Sequence, residues 1–135
     1  MDRRINSAFW ALRIGFGAAA FLAGLDKFFN LLVDWGQYLS PLFSRVVPLS
    51  TATAMSIVGV IEMAVGILVL SGVTRLGGYV VMVWLTLIAA NLVTTGHFFD
   101  VAVRDLVMAV GAYTLARLTE VRQEDAVGVR RVAHA

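Results

Sequence analysis

Met55-Ser-Ile-Val-Gly-Val-Ile-Glu-Met-Ala-Val-Gly-Ile-Leu-Val-Leu70 is the stretch whose reading decides the fold. It is apolar except at Ser56 and Glu62, and with its flanks it reaches the roughly 20 residues that a helix needs to cross a hydrocarbon core. A carboxylate at the centre of such a run has no water to solvate it. Burial at that depth costs about 2.5 kcal/mol or more, so an intramembrane acid is expected to face a partner, a cavity or a substrate. Arg13, Lys27 and Arg104, inside or at the edges of other apolar runs, are the candidate partners.

Working outward, residues 7–32, 52–71, 76–95 and 101–118 form apolar stretches near spanning length, and together they use up most of the 135 residues. The chain is 59% hydrophobic and 15% charged, with a mean hydropathy of +0.82, too few polar residues to cover a soluble domain. The expected fold is all-α: a polytopic membrane protein, a four-helix transmembrane bundle with an interfacial segment between helices 1 and 2. Residues 1–118 form the transmembrane domain and 119–135 a polar cytoplasmic tail, solvated and held near anionic headgroups by its arginines.

The absence of cysteine excludes thiol chemistry and iron–sulfur ligation by this chain. Two histidines, His97 near a span end and His134 in the tail, do not make a bis-histidine haem site within a bundle. No metal site is expected, and no nucleic-acid partner. The length of the first run and Arg13 inside it argue against a cleavable signal peptide.

Arginine placement sets the orientation. Arg3, Arg4, Arg75, Arg117, Arg122, Arg130 and Arg131 fall on one side of a chain that crosses four times. The positive-inside rule makes that side cytoplasmic, with both termini on it, in the inner (cytoplasmic) membrane. The long connection over residues 33–49 carries Trp35, Tyr38 and Phe43 and is interrupted by Pro41 and Pro48. It reads as a short interfacial helix or a cap over the bundle mouth. In the tight turn over residues 96–100, Asp100 is placed to N-cap the fourth helix and to pair with Arg104.

Helical periodicity gathers small and polar residues into stripes: Arg13, Gly17, Ala20, Gly24 and Lys27 on the first helix, Met55, Gly59, Glu62 and Gly66 on the second. Such stripes are packing surfaces first. Trp84, in the stripe of the third helix, is likewise read as packing. Counting 1.5 Å per residue from the span ends puts Arg13 about 9 Å and Glu62 about 12 Å from the cytoplasmic surface, so Arg13–Glu62 is the expected ion pair. Lys27, Asn91, His97, Arg104 and Asp105 gather toward the outer end. Asp26, on another face, is expected to meet a different helix. Arg13, Lys27, Glu62, Asn91, His97, Arg104 and Asp105 are the candidates for ligand binding or proton exchange, and no catalytic residue is assigned.

Leu12-Arg-Ile-Gly-Phe-Gly17, Ala23-Gly-Leu-Asp-Lys-Phe28, Gly59-Val-Ile-Glu-Met-Ala-Val-Gly66 and Phe99-Asp-Val-Ala-Val-Arg-Asp-Leu106 carry a resemblance to the DoxX family of small four-helix membrane proteins. It covers roughly residues 8–118, and it is the order of these short motifs that makes it specific. The resemblance implies a membrane subunit associated with quinone-linked redox chemistry. Its family positions are Arg13, Lys27, Glu62, Arg104 and Asp105. A quinone or other amphipathic small molecule is the expected ligand, with no covalently bound cofactor; a redox partner protein, membrane lipids and a homo-oligomer are the candidate partners, and an oxidoreductase subunit is expected rather than a complete enzyme. The alternative is a non-enzymatic scaffold or assembly protein with structural buried charges, or a small carrier.

Overall fold

The computed structural model describes residues 2–134, apart from the Ser44 side chain. The described residues are all helix and turn: α1 (Arg3–Asp26), a single 3-10 turn (Trp35–Tyr38), α2 (Pro41–Val46), α3 (Thr51–Leu70), α4 (Thr74–Thr94) and α5 (Phe99–Ala133). Three of them, α1, α3 and α4, are long and apolar enough to cross a membrane. In α5 the charges Asp100, Arg104 and Asp105 crowd the first two turns, and Arg117 follows, so its apolar stretch is broken.

Local chemistry sets the ends. The Asp2 carboxylate accepts the Arg4 N–H and starts α1 four residues earlier than the apolar run does. That helix stops at Asp26, whose carboxylate turns back to take the N–H groups of Leu31 and Leu32, with Asn30 at a positive φ of 52°. Ser40 and Ser50 cap α2 and α3 through their hydroxyls. The expected N-cap at Asp100 is not what forms. Left-handed Phe98 occupies the cap position without a side-chain bond, and Asp100 lies in the first turn of α5. Its contact with Arg104 is 3.9 Å, with both side chains about 70% exposed.

The long helices pack as two close pairs, α1 with α3 and α4 with α5, and the pairs meet each other more sparingly. Glycines bring the first pair together. A Cβ on Gly24 would stand 2.5 Å from the Gly59 carbonyl oxygen, and one on Gly59 would stand 2.6 Å from the Gly24 carbonyl oxygen. Since real Cβ atoms do not approach a backbone oxygen that closely, this helix spacing admits glycine alone at both positions. Two apolar clusters form, the first joining both pairs and the second joining α4 to α5 and the 3-10 turn. One, near the α3–α4 turn, contains Phe9, Val69, Val81 and Leu115; the other, at the opposite end, contains Ala89, Leu92 and Ala102 with Tyr38 and Phe98 against them.

The expected boundary at residue 118 is not a structural break. α5 continues as one helix to Ala133 because no proline follows, and its next turn is held by the bundle: Thr119 is buried, and Glu120 accepts from Arg75, Tyr79 and Arg117.

Candidate functional site

Between the two apolar clusters, the helix pairs border a partly open cavity of about 710 Å³. Its walls are largely apolar, with Phe16, Ala20, Val65, Val81, Leu85 and Met108 among them, and its polar groups are few: Lys27, Glu62, Trp84, Asn91 and Asp105. Cavities of this size and character hold drug-sized ligands.

Glu62 is buried on the inner face of α3, and its two carboxylate oxygens have different partners. Oε2 lies 2.5 Å from Lys27 Nζ, and Oε1 accepts from Trp84 Nε1 at 3.2 Å. The expected Arg13–Glu62 pair is therefore corrected to Lys27–Glu62. Arg13 instead donates from Nε to the Val69 carbonyl (3.3 Å) and from Nη2 to those of Leu70 (2.6 Å) and Ser71 (2.8 Å), closing the C-terminus of α3. Two physical reasons account for the difference. The span ends do not share a plane: Gly17 packs on Gly66 and Gly24 on Gly59, which sets Arg13 level with Leu70 and leaves Glu62 about 12 Å further along α3. Side chains also lean toward the N-terminus of their own helix. In an antiparallel pair, Lys27 and Glu62 lean toward each other, whereas Arg13 and Glu62 lean apart.

The connection after α1 roofs the cavity. Trp35 donates from Nε1 to the Asp26 carboxylate at 2.8 Å and lays its ring 3.9 Å from Lys27 Nζ, a cation–π contact. Asp26 thus serves its own loop rather than the different helix expected for it. Asn91 clamps the same connection onto α4, donating to the Tyr38 carbonyl (2.7 Å) and accepting from the Ser40 N–H (3.1 Å). Tyr38 stacks edge-on against Phe98, 4.7 Å between centroids.

Asp105 differs from its neighbours. It is 7% exposed, lines the cavity on α5 and stands among the charges that act on one another with Glu62 and Lys27. Among the described residues no side chain or backbone N–H donates to its carboxylate, yet no side-chain oxygen or nitrogen is sealed away unsatisfied. Its oxygens open onto the cavity. The carboxyl can accept from a hydroxyl when ionised and donate to a carbonyl when protonated.

Of the candidates, the structure brings Lys27, Glu62, Asn91 and Asp105 to one cavity. It sets Arg13 at the α3–α4 turn, Arg104 on the exposed side of α5, and His97 in the exposed turn before α5, where its backbone N–H meets Thr95 Oγ1. Sequence reasoning missed the roles of Trp84 and Trp35. The signal was available: an indole N–H buried near a lone carboxylate must find an acceptor, and Trp84 shares its helical stripe with Asn91. Comparison with known protein families, curated proteins and solved structures finds no match for this chain.

Proposed function

We propose that the protein is a four-span membrane bundle, with both termini cytoplasmic, that binds a quinone or similar amphipathic molecule in the central cavity, as a DoxX-like subunit serving redox chemistry carried out with a partner. The observation that carries this reading is the Asp105 carboxyl, buried, without a hydrogen-bond donor among the described residues and open to an apolar cavity beside an ion pair. A polar headgroup answers the carboxyl, and an apolar tail answers the walls around Phe16, Leu85 and Met108. Quinone and quinol headgroups suit a carboxyl that can donate or accept. A quinone supplies two-electron redox capacity; Lys27, Glu62 and Trp84 fix the wall around Asp105, and Trp35 covers it.

One observation favours the scaffold alternative. Glu62 is fully engaged by Lys27 and Trp84, as a purely structural charge is. Native mass spectrometry of protein extracted with lipids and quinones retained separates the two. Adducts of quinone or single-lipid mass that outlast the surface lipids on activation support binding, and bare protein under the same conditions supports the scaffold.

A further inference from the structure

A second cavity, of about 420 Å³, opens at the end of the molecule away from the Trp35 roof, between α1, the α3–α4 turn and α5. Arg13, Arg122, Thr74, Gln123 and Ala126 are among its lining residues. Arg13 spends Nε and Nη2 on the carbonyls of residues 69–71, and Nη1 has no hydrogen-bond partner among the described residues. Arg122 is held by aromatic faces: its guanidinium carbon lies 4.6 Å from the Phe9 ring centroid and 5.4 Å from that of Trp10. Among the described residues no carboxylate oxygen is within ion-pair distance of either guanidinium. Glu120, two residues before Arg122 and so on another side of α5, is occupied by Arg75, Arg117 and Tyr79.

Two half-buried guanidiniums thus share one cavity with no carboxylate counter-ion among the described residues. Aromatic contacts and carbonyl bonds hold them in place, so little entropy remains to be lost on meeting a ligand. Planar guanidiniums match the oxygens of phosphate and form its strongest charge-assisted bonds. The cavity also lies level with the turn between two apolar helices, where a bilayer places its phosphates if those helices span it.

We propose that this cleft binds a phosphate-bearing anion between Arg13 and Arg122, independently of the central cavity. The chemistry is shared by an anionic phospholipid headgroup and free phosphate. The test is thermal unfolding of the full chain in neutral detergent, with phosphatidylglycerol against phosphatidylcholine, and with inorganic phosphate against chloride at equal ionic strength. The midpoint is expected to rise by roughly 3 °C or more with a phosphate probe. That rise should persist in Arg130→Gln, which removes an exposed charge elsewhere on α5, and vanish in Arg122→Gln. Should Arg122→Gln not fold, Ala126→Leu keeps both arginines and fills the cleft, and it too should abolish the rise. A response to phosphatidylglycerol alone assigns the site to a lipid headgroup, and a response to both probes assigns it to phosphate in general. No response to either, or equal responses in the parent and the cleft variants, overturns the proposal.

Discussion

Lys27 and Glu62 form an ion pair across the α1–α3 interface, Nζ to Oε2 at 2.5 Å, with side chains 6% and 8% exposed. Trp84 and Trp35 complete its surroundings, one donating to the carboxylate and the other facing the ammonium. Removing one charge leaves the other buried without compensation, at a cost of about 3–5 kcal/mol. Lys27→Ala and Glu62→Ala should each destabilise strongly, and the double variant should lose less than the sum. Additive losses in a double-mutant cycle, read by detergent or denaturant unfolding, would show that the two residues act apart.

Arg13 is expected to be independent of that pair. Arg13→Ala forfeits three bonds to the carbonyls that end α3, and a loss of about 2–3 kcal/mol follows from charge-assisted hydrogen bonding there. Combined with Glu62→Ala, it should give an additive loss. A coupling above about 1 kcal/mol between Arg13 and Glu62 would contradict the register of α1 on α3.

That register depends on glycine. Gly24→Ala or Gly59→Ala drives a methyl group into a backbone carbonyl of the facing helix, so the pair must separate. Over-packing of this kind costs about 1–3 kcal/mol. Gly15→Ala, where nothing lies within 4 Å of the new methyl, serves as control. There the gain in helix propensity should hold or raise stability by up to about 1 kcal/mol. Equal effects at Gly15 and Gly59 would rule out the close approach.

Much of this was legible in the sequence. Long apolar runs gave the helices, small-residue stripes marked the faces that meet, and one carboxylate in an apolar run pointed to the interior site. Pairing was not legible, because a depth counted from the end of each run assumes ends that share a plane. α1 carries about 15 Å of helix before Arg13, beyond the end of α3. Nor could periodicity show where α5 ends: the polar residues after Thr119 continue a helix that Glu120 and Arg122 fasten to the rest. The openness of Asp105 to a cavity is a property of how two helix pairs diverge, which no single helix records.

At the α3–α4 end, Glu120 accepts from Tyr79 Oη at 2.6 Å and from Arg75 and Arg117. The Tyr79 hydrogen bond, aided by the two arginines, holds its carboxyl below the ordinary glutamate value of 4.5. Since the folded value is the lower one, the contribution to stability is present above about pH 4.5 and is lost as the pH falls through the depressed value. Tyr79→Phe should move the Glu120 titration upward, measured by carbon-detected NMR of the side-chain carboxyl. An unchanged titration would mean that the arginines alone set it.

The most direct test of the central claim is Asp105→Leu, followed by thermal shift with ubiquinone, menaquinone and lipid analogues. A buried carboxyl among apolar walls, with no donor among the described residues, costs stability, so its apolar replacement should fold and gain about 1–3 kcal/mol in the absence of ligand. The parent protein should gain about 2.7 kcal/mol from a ligand at a hundred times its dissociation constant. Asp105→Leu should gain little or nothing from the same ligand. A more stable, unresponsive variant beside a responsive parent is the predicted result; no response in the parent to any of these compounds, or an equal response in both, would contradict a ligand site at Asp105.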